Sequence, residues 1–105
     1  DLASARHWFD RALQREPNNA LVHHYVGEVL YNMGLSDDAE LSLTRSLELN
    51  PEQPDALYLL AFVLGDLGRH EEAQAVTKRA IALNPSLSRA QANLSLDQYN
   101  PQRYE

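Results

Sequence analysis

Histidines and carboxylates are the groups best able to do chemistry in this chain, and their spacing argues against catalysis. The sequence holds 4 His, 15 Asp and Glu, and no Cys. His23 and His24 are adjacent. On a helix, neighbouring side chains diverge by about 100°, so the pair cannot chelate one metal ion. The plainer reading packs one ring and leaves the other on a surface. His70-Glu71-Glu72-Ala73-Gln74 begins like the helix of a zinc protease but lacks the second His one turn on. Without cysteine there are no disulfides, thiolate ligands or thiol nucleophiles. No other nucleophile sits in a recognisable motif, and no glycine-rich loop is present to cradle phosphate. Asn93-Leu94-Ser95 matches a glycosylation acceptor, yet it falls in a helical stretch with no secretory signal. The residues therefore predict no catalytic site, no metal and no cofactor.

Charge and composition narrow the partner. The chain has 105 residues, the size of one ordinary domain, and 44% of them are apolar, enough for a core. A net charge of -6 argues against nucleic acid, since phosphate binding needs clustered Lys and Arg. It suits a protein or peptide that is neutral to basic, or amphipathic. The apolar run at 56–63 is far too short to span a bilayer. No signal peptide opens the chain and residue 1 is Asp, which reads as a fragment or a processed product.

The elements that must carry these residues are set by an internal repeat. Glu16-Pro17-Asn18-Asn19, Asn50-Pro51-Glu52-Gln53 and Asn84-Pro85-Ser86-Leu87 are breakers spaced by 34 residues. At the same period run Ala12-Leu13, Ser46-Leu47 and Ala80-Ile81; Phe9, Leu43 and Thr77; and Ala5, Ala39 and Ala73. Gly34 and Gly68 punctuate the two complete units. Within each unit the apolar residues fall at helical spacing: Val22, Val26, Val29, Leu30 and Met33 in 20–33, then Leu57, Leu60, Leu64 and Leu67 in 54–67. The glycines end these helices in a left-handed residue. Second helices are predicted at 37–49 and 71–83, with Ser36 and Asp37 as candidate N-caps of the first, and proline stops each. Gly27, Ala61 and Ser95 stand where paired helices would cross, opposite Ala39 and Ala73.

This pattern of small residue, apolar residue, Ala-Leu and Pro, at its period, resembles the tetratricopeptide repeat family. The resemblance covers residues 1–99 and implies an all-α, helix-turn-helix solenoid, a right-handed superhelix of about six helices. Its expected order is a second-type helix of a truncated repeat (1–19), complete repeats at 20–53 and 54–87, a capping helix at 88–99 and a tail at 100–105. The usual early Trp is replaced by His23, Leu57 and Gln91, and the later Tyr by Leu30, Leu64 and Gln98. Gln91 and Gln98 make the last helix a polar cap. Pentatricopeptide repeats would lack the regular proline and carry more basic charge, and Sel1-like repeats have a longer period.

The family resemblance implies that first helices line a concave surface. Across the three of them, the groove is expected to show His24, Tyr25, Glu28, Tyr31 and Asn32; then Asp55, Tyr58, Leu59, Phe62 and Asp66; then Arg89, Asn93, Leu96 and Tyr99. Large apolar groups on a surface mark a binding site. The family's clamp for chaperone C-termini would map to His24, Glu28, Leu59 and Asn93, where Glu28 has the wrong sign and Leu59 has no donor. An aromatic floor beside Glu28, Asp55 and Asp66 fits an apolar, amphipathic helical or proline-rich segment with some positive charge. The expected function is a protein-interaction scaffold. The alternatives are the substrate-recruiting arm of a larger enzyme, or a self-assembly module in which an uncovered Phe9, with Ala5 and Ala12, drives head-to-tail association.

Overall fold

The computed structural model describes residues 2–87, which form five helices: α1 (Leu2–Arg15), α2 (Ala20–Asn32), α3 (Ser36–Leu49), α4 (Pro54–Asp66) and α5 (His70–Leu83). Consecutive helices pack against one another in antiparallel fashion, α2 on α3 and α4 on α5, with α3 joining the two pairs through α4. The all-α repeat architecture is as the sequence predicts. The expected helix 88–99 and the tail 100–105, with Gln91, Gln98, Ser95 and the Asn93-Leu94-Ser95 acceptor, lie outside the described residues.

Two kinds of punctuation make this repeat. Gly34 and Gly68 have φ of 80° and 82°, a region that costs other residues a clash at Cβ. Each glycine closes its helix in a double hydrogen bond: Gly34 N–H donates to Tyr31 C=O at 2.9 Å and Leu35 N–H to Leu30 C=O at 2.9 Å, matched by Gly68 to Gly65 at 3.0 Å and Arg69 to Leu64 at 2.8 Å. The turn is so short that the next helix begins at once. This corrects the expected N-caps: the cap of α3 is Leu35, which offers no side-chain acceptor, and Ser36 is already helical. The second punctuation is proline. Asn50 and Asn84, preceding Pro51 and Pro85, are extended at φ/ψ of -146°/100° and -141°/92°, as the proline ring demands of the residue before it. Asn19 caps α2 by accepting from Leu21 and Val22 N–H groups at 2.9 and 3.4 Å.

The core runs through all five helices and includes Phe9, Val26, Leu30, Leu43, Leu60, Val63 and Leu64, with Leu57 and Ala56 fully buried. The crossing of α2 and α3 is tight at Gly27: a Cβ there would lie 2.7 Å from Leu43 Cγ and 3.4 Å from Ala39 C=O. Below that crossing Ser46 and Gln53 are buried with their polar atoms satisfied. Ser46 Oγ donates to Ala20 C=O at 2.6 Å, and Gln53 Nε2 donates to Ser46 C=O at 3.0 Å and Asn50 C=O at 2.8 Å. Phe9 corrects a second expectation. It is only 5% exposed, because it enters the core cluster with Val26 and Leu30 and takes Trp8 edge-on at 5.5 Å. Ala5 and Ala12 are half-buried, as predicted.

Candidate functional site

A repeat of 34 residues puts equivalent positions of α2 and α4 on faces that point the same way. His24 and Glu28, one turn apart on α2, correspond to Tyr58 and Phe62 on α4. Where the two helices come alongside, these four join Asp55 and Leu59 around a cleft of about 360 Å³. Tyr58 and Phe62 meet edge to face, with centroids 5.0 Å apart and planes at 80°, the favoured geometry for two quadrupoles. Leu59 and Tyr31 pack partly onto the core, which anchors the floor. Glu28 and Asp55 are exposed and neither has a cationic partner among the described residues. The α2 wall is thus polar, the α4 wall mainly aromatic and apolar, and each carries one carboxylate.

The other predicted groove residues divide. Tyr31 is half-buried and stands near the Asp66 carboxylate; burial first, and then that carboxylate, push its pKa above the ordinary tyrosine value. Neither lines the open cleft; Tyr31 packs onto the core beside it. Tyr25 turns away from the cleft. It is 56% exposed and meets Trp8 of α1 edge-on, with centroids 5.6 Å apart and planes at 60°. Asn32 is exposed at the end of α2. Arg89, Asn93, Leu96 and Tyr99 lie outside the described residues. Of the paired histidines, His23 hydrogen-bonds Pro17 C=O through Nε2 at 2.9 Å while His24 lines the cleft, so the rings separate as helix geometry requires. Among the described residues no cluster of His, Asp and Glu is disposed to hold a metal ion.

Sequence reasoning missed a second depression. Trp8, Arg11, Ala12 and Arg15 of α1, with Glu16 and Val22, line a cavity of about 770 Å³ between α1 and the start of α2. The signal was present in the spacing: Trp8, Arg11 and Arg15 follow at three and four residues, one face of a helix.

On the convex side, Arg69 at the start of α5 pairs with Glu40 of α3 and with Glu72, one turn on. Those hydrogen bonds raise the Arg69 pKa and lower that of Glu72. Both pairs are partly solvated, and none of the three residues lines the cleft.

Comparison with known proteins follows the same lines. A protein-family model described as anaphase-promoting complex, cyclosome, subunit 3, matches residues 1–80. A solved structure of MamA MSR-1 is 28% identical, with a TM-score of 0.67 over 74% of this chain and 45% of that one. Two structures of MamA AMB-1 are 32% and 31% identical, with TM-scores of 0.68 and 0.69 over 72% and 73% of this chain and 45% and 42% of theirs. The chain thus spans less than half the length of each of these three. No curated protein matches it.

Proposed function

The chain belongs to the family described as anaphase-promoting complex, cyclosome, subunit 3, a family of tetratricopeptide-type repeats, and from that premise we propose that it holds a peptide or short helix in the cleft between α2 and α4. The observation that carries the reading is the composition of the cleft: Tyr58 and Phe62 edge to face on α4, with an uncompensated carboxylate on each wall, Asp55 one turn before Tyr58 and Glu28 across on α2. A burial-competent aromatic pair supplies the anchor, and two free carboxylates select the sign of what flanks it. The occupant this favours is an amphipathic segment with a Leu, Phe or Met side chain lying against the two rings and Lys or Arg beside it. The module does no chemistry; its contribution is to position a partner.

An array of immobilised peptides varied in charge and apolar content, probed with the labelled chain, tests this. Retained peptides should be enriched in Lys or Arg around an apolar residue. Tyr58→Ala and Phe62→Ala should remove that class, whereas Glu72→Ala on the convex side should leave it. Equal loss from both faces would contradict the assignment.

A further inference from the structure

The depression on α1 has the opposite character to the cleft, and it is built from residues that the core does not need. Arg11 and Arg15 are both exposed, and neither has an ion-pair or hydrogen-bond partner among the described residues. Of the other four described arginines, Arg6, Arg45 and Arg69 each find a carboxylate, and Arg79 on α5 does not. Trp8 stands one turn before Arg11 on the same face and is 47% exposed, its ring held between Phe9 and Tyr25 by edge contacts at 5.5 and 5.6 Å. Ala12 and Val22 give the floor an aliphatic patch. A fixed, half-open indole beside two unpaired guanidinium groups is the combination most enriched at the energetic centres of protein interfaces. Guanidinium forks match carboxylates in a bidentate manner that an ammonium does not.

We propose that the α1 depression is a second docking site, and that its occupant is an acidic peptide segment whose Asp or Glu side chains pair with Arg11 and Arg15 while an adjacent apolar side chain lies on Trp8. Two guanidinium groups outnumber the one carboxylate of the lining, Glu16, which accepts from Asn19 Nδ2 at 3.3 Å, and this balance selects an acidic occupant against the basic segment suited to the α2–α4 cleft. The two sites then take opposite classes of partner, and the α1 site does not depend on the cleft being occupied or even on the cleft having been assigned correctly.

Trp8 is the sole tryptophan of the chain, so its emission reports on this site alone. The probe is the same charge-varied peptide array, followed by titration of the best acidic peptide against Trp8 fluorescence. Expected is a retained class rich in Asp and Glu with one apolar residue, a saturable change in Trp8 emission, and binding that weakens as salt rises. Arg11→Glu with Arg15→Glu should abolish that class, Arg11→Lys with Arg15→Lys should weaken it by roughly tenfold through loss of the bidentate geometry, and Tyr58→Ala should leave it intact. Both arginines lie outside the core, and unchanged thermal melts of the variants establish that the fold survives. An array with no acidic class, an acidic class retained by the double glutamate variant, or a Trp8 signal that follows protein concentration without peptide would overturn the proposal; the last result would give the face to a second copy of the chain.

Discussion

The two complete repeats solve the same packing problem with different residues, and they diverge again where packing does not constrain them. At the crossing of α2 on α3, Gly27 faces Leu43; one period later, at α4 on α5, Ala61 and Thr77 occupy the equivalent positions. Small against large becomes medium against medium, and Thr77 disposes of its hydroxyl by donating to Ala73 C=O at 2.8 Å. Likewise the buried Ser46 and Gln53 of the first repeat become Ala80 and Leu87 in the second. The first exchange keeps the combined volume close, the second trades a hydrogen-bonded polar pair for an apolar one, and neither leaves a buried side-chain polar atom unpaired among the described residues. The surface pairs are under no such constraint. His24 and Glu28 stand where the next repeat has Tyr58 and Phe62. The difference shows which positions serve the solenoid and which are free to serve a partner.

The largest effect should come from breaking the tighter crossing. A Cβ at position 27 already meets Leu43 at 2.7 Å, so Gly27→Leu should destabilise by about 1–3 kcal/mol, more than Ala61→Leu. Thermal or denaturant melts read this, and unchanged midpoints for both variants would mean that the helices do not cross there.

Importing the second repeat's pair into the first sharpens the comparison. Gly27→Ala and Leu43→Thr should each destabilise alone, one by crowding and one by a cavity. The double variant should be less destabilised than the sum, with a coupling of about 0.5–3 kcal/mol, as expected for residues in contact. Strict additivity in a double-mutant cycle would show that the repeats are not alternative solutions to one packing problem.

At the divergent surface the effects move from stability to binding. Tyr58→Ala and Phe62→Ala should each weaken a basic amphipathic peptide by about 1–2 kcal/mol with helical content preserved. Glu28→Gln should cost less, about 0.5–1 kcal/mol, because its carboxylate is solvated. Isothermal titration with circular dichroism separates the two readouts.

The smallest effect is a pH dependence confined to the first repeat's contact with the second. Tyr31 has its pKa raised by burial and by Asp66, so the folded state holds that proton more tightly than the unfolded chain. The resulting stability is complete below the ordinary tyrosine value, near 10, and is lost as pH rises through the raised folded value. Tyr31→Phe should flatten the melting curve's response across that alkaline range. The equivalent position in the second repeat is Gly65, which has no such group. An identical alkaline slope in wild type and variant would remove Tyr31 as its source.

The solenoid was legible because its signals act on the backbone. Proline and left-handed glycine have few conformational options, so Pro51, Pro85, Gly34 and Gly68 set the helix ends whatever their neighbours. The small residues at the crossing were legible for the same reason. What was not legible depends on which neighbour a side chain meets. Helical angle puts Tyr25 on the groove side of α2, yet that side faces both α4 and α1, and Trp8 captures the ring. Phe9 was expected to be uncovered, but α2 and the adjacent indole cover it. Ser36 and Asp37 look like caps, and the glycine turn is too short to leave them outside the helix. Trp8 itself was passed over because it has no counterpart in the repeat: Ser42 and Val76 occupy its later positions. A residue that breaks a repeat carries information about function that the repeat cannot.

The cleft assignment is tested most directly by amide chemical-shift mapping of the labelled chain during titration with a basic amphipathic peptide retained by the array. The account predicts saturable shifts concentrated at His24, Glu28, Tyr58, Leu59 and Phe62, with the convex residues Glu40, Arg69 and Glu72 unmoved. Shifts concentrated on α3 and α5, or spread evenly over both faces, would contradict it.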